Sequence, residues 1–371
     1  MKKIGILKET ELKKIVALTP ANVKLLDNQT IIYVESGAGQ NAGFTDTAYV
    51  EAGATIISDR TKLIEAVDII VTFSSPVQFK NINKNITVIG FFDCLNDFSV
   101  LLPFKETNVD LFSLNFIPRS SIAQSMDILS TIASIAGYQA VLRASSFFSS
   151  VVPMITSAGG TLPPANFLVI GAGVAGLQAI ATAKRLGGRV KAFDIRRATK
   201  TEVESLGASF IEIPGATENE ASGGYAVEQD PEYLEKLNAQ LAIEIGKADM
   251  IITTAQIPGK RAPILIKKEV VKTMKQGSVI VDLAASNQGN CELTEPGEIV
   301  IKHGVTIDGR VARFAEFSVA TSTTIGQNFT SFIQYLLKNI DKESDEILTA
   351  TKVISNGQII HPRLLEAIEQ I

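Results

Sequence analysis

Phe167-Leu-Val-Ile-Gly-Ala-Gly-Val-Ala-Gly176 begins as four apolar residues and breaks into three glycines, at 171, 173 and 176. Val174 to Leu186 then continues with helix formers until Gly187-Gly188 stops it. In that order each glycine has its own task. Gly171 permits a tight turn, Gly173 lets the backbone approach a pyrophosphate, and Gly176 lets the helix pack close to the strand while its free N–H groups and positive dipole end face the anion. The next apolar run, Val190-Lys-Ala-Phe193, ends at Asp194. This is the offset of about 20 residues at which a carboxylate accepts from a ribose 2′-hydroxyl and repels a 2′-phosphate. Glycine clusters also mark ordinary turns, so the motif takes its weight from the order strand, glycines, helix, stop, strand, acid. It implies a dinucleotide cradle favouring NAD(H) over NADP(H), with Gly171, Gly173, Val174, Ala175 and Gly176 at the phosphates and Asp194, Ile195 and Arg196 at the ribose. Arginines at the places of Arg196 and Arg197 hold a 2′-phosphate in NADP-preferring enzymes. With Asp194 dominating the strand end, these two are expected to be solvated.

Working outward, strands are expected at Ser209–Ile213, Met250–Thr253, Ser278–Val281 and Thr306–Ile307, with helices at Pro231–Ile245 and Lys267–Met274 between them. These are repeated βα units on a parallel sheet, whose carboxyl-end rim would include Thr254, Ala255, Ala284 and Asn290, with Asp282 at a strand end. A second alternating series precedes them: Ile4–Ile6, Ile31–Val34, Thr55–Ile57, Asp68–Val71, Thr87–Ile89 and Leu111–Leu114. Gly37-Ala-Gly39 lacks the G-x-x-G spacing and strand-end acid of a second cofactor site and reads as a turn. Long helical patterns at Ile122–Arg143 and Ser322–Leu337 flank the glycine-motif unit, so the chain is expected to cross into a second domain and return. The expected fold is α/β: two doubly wound Rossmann-like domains with parallel sheets, separated by a cleft. Residues 1–129 and 318–371 would form one, an N-terminal α/β domain completed by the C-terminal segment, and residues 130–317 the NAD(H)-binding domain.

The bulk composition agrees with a globular pair of domains: 371 residues, 46% hydrophobic and 20% charged. A net charge of −4 without a long basic block argues against nucleic acid or an anionic membrane surface as partner. Cys94 and Cys291 are far apart, and His303 and His361 are the only histidines, so neither a disulfide framework nor a zinc site is expected. The opening Met1-Lys-Lys-Ile-Gly-Ile-Leu-Lys-Glu9 turns charged too early for a signal peptide, and no run approaches the roughly 20 apolar residues of a span. A soluble, cytoplasmic protein is expected, reaching the inner face of a membrane only through partner subunits.

Several further segments carry a family likeness. They include Val16-Ala-Leu-Thr-Pro20, Val34-Glu-Ser-Gly-Ala-Gly39, Pro118-Arg119 with Ala123-Gln-Ser-Met-Asp-Ile-Leu-Ser130, Ala136-Gly-Tyr138, Ala198-Thr-Lys200, Gly223-Gly-Tyr225, Thr253-Thr-Ala255 with Ile257-Pro-Gly-Lys260, and Gly277 to Ala284. With the glycine stretch, they make the chain resemble the soluble NAD(H)-binding alpha subunit of proton-translocating nicotinamide nucleotide transhydrogenase, a group related to the alanine dehydrogenases. The resemblance implies a Re/Si-specific, proton-translocating NAD(P)+ transhydrogenase. This chain would bind NAD(H) and exchange a hydride with NADP(H) on a separate beta subunit, beside a membrane-spanning component, and would itself form a homodimer. It further implies that Arg119, Gln124, Asp127 and Ser130 lie beside the nicotinamide, and that Gly224 and Tyr225 tip a mobile loop closing over the cofactor. Such residues suit the task, because direct transfer moves no solvent proton and the protein's work is to hold two rings about 3–3.5 Å apart. Arg119 and Asp127 can pair, Gln124 can hydrogen-bond a ribose or carboxamide, and Ser130 can anchor a carboxamide. The structural alternative is a surface ion pair and a helix cap.

The pattern also breaks. Relatives carry Arg where Ile15 stands, another Arg where Ile122 stands, and a Pro-Ser-Arg or Pro-Gly-Arg element near Phe314–Val319. An alanine-dehydrogenase-like oxidoreductase is the competing enzyme. It needs cations for a substrate carboxylate and an acid/base group for the amine steps. Its relatives use the Arg at Ile15, a Lys shortly before Pro76 and a His within Phe91–Leu95. None of these is present, although Asp93 offers an acid. A catalytically decayed NAD(H)-binding subunit is the third reading.

Overall fold

The computed structural model describes residues 1–10, 13–26, 30–74, 85–105, 107–213, 230–256, 261–310, 314–340, 342 and 344–369. The chain runs through strand β1 (Lys2–Ile6), helix α1 (Pro20–Leu26), β2 (Thr30–Glu35), α2 (Asp46–Glu51), β3 (Thr55–Ile57), α3 (Arg60–Ala66), β4 (Ile69–Val71), β5 (Ile86–Gly90) and β6 (Val109–Ser113). Helix α4 (Ile128–Phe147) leads to a hairpin of β7 (Ile155–Ser157) and β8 (Gly160–Leu162). Then come β9 (Asn166–Ile170), α5 (Val174–Arg185), β10 (Arg189–Phe193), α6 (Lys200–Ser205), β11 (Ser209–Phe210), α7 (Pro231–Lys247), β12 (Met250–Thr253), α8 (Lys268–Val271), β13 (Val279–Asp282), β14 (Ile299–Lys302) and β15 (Val305–Asp308). The last elements are α9 (Ser318–Asn339), α10 (Glu346–Thr351), β16 (Lys352–Ser355), β17 (Gln358–Ile359) and α11 (Pro362–Glu369). Among the described residues no helix is long and apolar enough to cross a membrane.

These elements divide into two units, Met1–Ile132 with Phe314–Ile371, and Ala133–Arg313. The first holds an eight-stranded sheet in the order β17-β16-β6-β5-β4-β1-β2-β3. Its strands are apolar without a polar face because the sheet is covered on both sides. Alternate residues feed two separate cores. Ile69, Val71, Ile89 and Phe112 pack with Ile325, Phe329, Phe332 and Ile333 of α9, whereas Ile70, Val88 and Leu111 pack with Leu63, Phe104 and Leu364.

The second unit repeats this arrangement on a seven-stranded sheet ordered β11-β10-β9-β12-β13-β15-β14. Phe167, Val169, Ala192, Ile252 and Val281 face one core, while Leu168, Ile170, Phe193, Ile251 and Ile280 face the other. Both units are therefore α/β with parallel-rich sheets.

Neither sheet is wholly parallel, which corrects the expectation. β14 runs antiparallel on β15, and β16 and β17 close one edge of the first sheet antiparallel. Helical spans shift as well. The expected helix from Ile122 starts only at Ile128, because the Asp127 carboxylate accepts from the Ser130 amide (3.0 Å) and so caps the helix there. The helix expected over Lys267–Met274 shortens to Lys268–Val271, and the strand expected over Ser209–Ile213 to its first two residues.

Candidate functional site

Register, more than any single side chain, assembles the candidate site on the second unit. Ile170 pairs with Phe193 across β9 and β10 and with Thr253 across β9 and β12, while Thr253 pairs with Asp282 across β12 and β13. The residues that follow these strand ends, Gly171, Asp194, Thr254 and Leu283, therefore emerge along one carboxyl edge. β9 and β12 are the neighbours at which the strand order reverses. That is where open α/β sheets take ligands.

At this edge the glycines do what their spacing requires. Gly171 turns with φ +102°, and a Cβ there would stand 2.4 Å from Thr254 Oγ1. A Cβ on Gly176 would lie 1.8 Å from the Gly171 carbonyl oxygen, so α5 can start this close to the turn only on a glycine. Gly173 differs, since its Cβ would meet nothing nearer than Arg196 Nη2, at 4.0 Å. The face it turns outward leaves room for an approaching group. Gly173 is also the N-cap of α5 and offers no side-chain cap, which leaves the first amides of the helix and its positive dipole end directed at that space. This is the donor set a pyrophosphate needs.

The neighbouring helix is fitted to the cradle. A Cβ on Gly137 of α4 would come within 2.0 Å of the Ala175 carbonyl oxygen, and Ser134 Oγ donates to Gln178 Oε1 at 3.3 Å. The Ala136-Gly-Tyr138 segment thus serves the close packing of α4 on the first turn of α5.

Asp194 is 8% exposed and accepts four hydrogen bonds. The Ala172 amide donates to Oδ2 (2.7 Å) and the Arg196 amide to Oδ1 (2.8 Å). Arg196 adds Nε to Oδ1 (2.9 Å) and Nη2 to Oδ2 (2.8 Å). Arg196 is therefore held rather than solvated, which corrects the expectation. The Asp194 hydrogen bonds push its guanidinium pKa further up. Arg197 is likewise engaged, with Nη2 2.6 Å from Glu212 Oε1, while Lys200 takes the other oxygen at 2.8 Å. Ile195 is half-buried beside them.

The far side of the rim is organised by Asp282, which is fully buried. It accepts from Thr253 Oγ1 (2.9 Å) and the Ala284 amide (3.0 Å) on Oδ1, and from the amides of Asn290 (2.8 Å) and Cys291 (3.1 Å) and Thr294 Oγ1 (2.7 Å) on Oδ2. Asn290, fixed by that bond, clamps the next loop: its Oδ1 accepts from the Ala255 amide (3.0 Å) and its Nδ2 donates to the Ala255 (2.8 Å) and Pro263 (2.9 Å) carbonyls. Thr254 closes the circle with Oγ1 donating to the Gly171 carbonyl at 3.1 Å. Thr254, Ala255, Ala284 and Asn290 are thus joined through Asp282 into one hydrogen-bonded frame. Burial pushes the thiol of Cys291, in the same frame, up to about 11, so it is no nucleophile at neutral pH.

Arg119, Gln124, Asp127 and Ser130 all fall in the first unit. Gln124 opens a short 3₁₀ turn, Gln124–Met126, with its own side chain exposed and Ala123 and Met126 buried. Asn328 Nδ2 of α9 pins this turn by donating to the Ser125 carbonyl at 2.9 Å. Asp127 takes the Ser130 amide on Oδ1 and the Ser130 hydroxyl on Oδ2 (2.6 Å), so these two form the helix cap, and Arg119 is exposed. Gly224 and Tyr225 lie outside the described residues, as do Ile257–Lys260. The positioning roles of Asp282 and Gly137 escaped the sequence reading. The strand-end place of Asp282 was a signal for the first, and nothing short of the helix packing signals the second.

A cradle of this geometry defines a nucleotide-binding α/β protein of the dehydrogenase type. The family described as alanine dehydrogenase/PNT, N-terminal domain, matches residues 5–136, its C-terminal domain matches residues 140–362, and the chain belongs to this family. Its relatives include an NAD(P) transhydrogenase subunit alpha protein of Rhodospirillum rubrum, 40% identical over 367 residues, covering 94% of this chain and 95% of that protein. Its counterpart from Rickettsia prowazekii is 36% identical and covers 100% of this chain and 99% of its own. A solved transhydrogenase structure from Sinorhizobium meliloti matches with a TM-score of 0.84 at 33% identity, over 97% of this chain and 99% of that one. An L-alanine dehydrogenase structure, at 21% identity with a TM-score of 0.83, shares the fold over 99% of each chain.

Proposed function

We propose that this chain is the NAD(H)-binding alpha subunit of a Re/Si-specific, proton-translocating NAD(P)+ transhydrogenase. In this reading it exchanges a hydride directly with NADP(H) held by a beta subunit, beside a membrane-spanning component. The observation that carries the proposal is the register-aligned edge at which an uncapped helix N-terminus, an open Gly173 and the strand-end Asp194 converge. Identities of 36–40% to proteins described as transhydrogenase alpha subunits support it. Bound NAD(H) would supply the hydride donor or acceptor. The chain's own contribution is binding and orientation: α5 amides at the pyrophosphate, Asp194 at the ribose, and the Asp282–Asn290 frame holding the rim at Thr254, Ala255 and Ala284. Ile195 and Arg196 flank the ribose, and Gly224 and Tyr225 belong to the closing loop. Arg119, Gln124, Asp127 and Ser130 are assigned to the nicotinamide, with Asp127 and Ser130 positioning each other. The homodimer and the peripheral membrane location through partner subunits belong to the same proposal.

The competing dehydrogenase reading finds little chemistry at its own positions. Ile15 is 2% exposed within the first unit's core, Thr72 donates to Glu9 Oε1 at 2.6 Å, and burial pushes the Cys94 thiol up to about 11. Asp93 is exposed and bonded to Asn96. Mixing the purified chain with an NADP(H)-binding partner and following NADPH-dependent reduction of an NAD analogue tests the proposal. Turnover is expected. NADH binding without turnover favours a decayed subunit, and alanine- or pyruvate-dependent absorbance change without a partner favours the dehydrogenase.

A further inference from the structure

We infer that Arg196 is a specificity-determining residue of the ribose position: its guanidinium competes with a 2′-hydroxyl for Asp194, and the same pairing withholds it from a 2′-phosphate. This rests on the reading of the second unit's edge as an NAD(H) site. A carboxylate offers about four lone-pair sites. At Asp194 all four are filled, two by the main-chain amides of Ala172 and Arg196 and two by the Arg196 fork. The amides cannot leave without unmaking the turn at Gly171 and the end of β10. The fork can, since its side chain is 31% exposed and sits on a flexible stem, whereas Asp194 is 7% exposed and fixed.

A ribose hydroxyl therefore gains Asp194 only by displacing the guanidinium. The location agrees. Arg196 Nη2 is the nearest atom to the Cβ position of Gly173, at 4.0 Å, which places the guanidinium over the face of the glycine turn that the pyrophosphate would approach. Binding NAD(H) then exchanges one partner of Asp194 for another, and some of the hydrogen-bonding gain goes into releasing the fork.

A 2′-phosphate meets a different obstacle. Arg196 would recognise it bidentately if free, but it is neutralised by Asp194, and the next two cations, Arg197 and Lys200, share Glu212. Discrimination against NADP(H) thus has two components, repulsion by Asp194 and sequestration of the adjacent arginine. The two residues are coupled, and their substitutions should not act additively.

The test is a cycle of NADH and NADPH titrations on the full chain, read by reduced-nicotinamide fluorescence, for the native protein, Arg196→Ala, Asp194→Ala and the double variant. Arg196→Met repeats the first change while keeping the apolar stem, and circular dichroism checks each fold. Arg196→Ala and Arg196→Met are expected to bind NADH about three- to tenfold tighter and NADPH no better. Asp194→Ala should lose at least tenfold for NADH and gain at least fivefold for NADPH, a gain abolished in the double variant. NADH affinity unchanged or weakened in both Arg196 variants overturns the inference, as does a gain for NADPH that survives in the double variant. Absence of NADH binding by the native chain overturns the underlying site as well, which separates the two failures.

Discussion

Replacing Asp282 by asparagine changes one oxygen to an NH₂ at nearly constant volume, and the structure fixes what that costs. The amide has two placements. With NH₂ in the place of Oδ1 it faces the Ala284 N–H; in the place of Oδ2 it faces the N–H groups of Asn290 and Cys291. The hydroxyls of Thr253 and Thr294 can rotate to accept, but a main-chain amide cannot, so at least one buried donor is orphaned in either placement. Each orphan costs about 1–3 kcal/mol, and the surviving bonds fall from the charge-assisted class to the neutral one, losing about 1 kcal/mol more apiece. A destabilisation of the second unit of about 3–5 kcal/mol is expected, in the range for breaking a buried charged network. The chain has no tryptophan, so urea unfolding is best followed by circular dichroism. Cys291 supplies a local probe: 1% exposed in the native frame, it should react with a thiol reagent at least a hundredfold faster in Asp282→Asn, measured in a Cys94→Ala background. Stability within about 1 kcal/mol of the parent, together with unchanged protection of Cys291, would refute the account of Asp282 as the support of the rim.

Three further outcomes are expected. Gly176→Ala drives a Cβ to 1.8 Å from the Gly171 oxygen, so α5 must retreat; a loss of about 1–3 kcal/mol in urea unfolding and at least tenfold in NADH affinity should accompany it. Gln124→Ala removes an exposed side chain outside the second unit, and coupled assays should find slower hydride transfer with NADH affinity within twofold of the parent; a large affinity loss contradicts the assignment. His361 has its pKa lowered by burial, against the opposing pull of the Ala350 backbone, so between that lowered value and about 6.5 the unfolded chain binds the extra proton. Stability should fall as pH drops through this window and not change on its account above it, and His361→Gln should remove that contribution to the slope in unfolding measured from about pH 7 to pH 5.

The glycine stretch was legible because each constraint there is local: Gly171 and Gly176 exclude a Cβ through atoms of the same turn and of the strand beside it. The strand-end acid was legible by offset alone, yet its partner was not. Nothing in the order Asp194-Ile-Arg196 says that the arginine folds back on the carboxylate instead of facing solvent. Asp282 shows the same limit, since its donors come from Ala284 to Thr294 and become convergent only through the path of that loop. The antiparallel edges were hidden for a different reason. β14 shows the half-exposed alternation of an edge, and β16 finds its partner in β6, where Lys352 pairs with Phe112 across the whole second unit. Pairing between segments so distant leaves little imprint on local sequence.

The first unit is made from two stretches of chain with the 181 residues of Ala133–Arg313 between them. Its core needs Ile325, Phe329, Phe332 and Ile333, and its sheet needs β16 and β17, all encoded in the last stretch. On a ribosome adding about 5–20 residues per second, the nascent β1–β6 segment waits roughly 10–40 s with its apolar faces uncovered. The inserted unit is contiguous and can finish in that interval. Order of synthesis and order of completion are therefore reversed: the domain begun first is sealed last, and chaperones have their longest opportunity at the amino-terminal half.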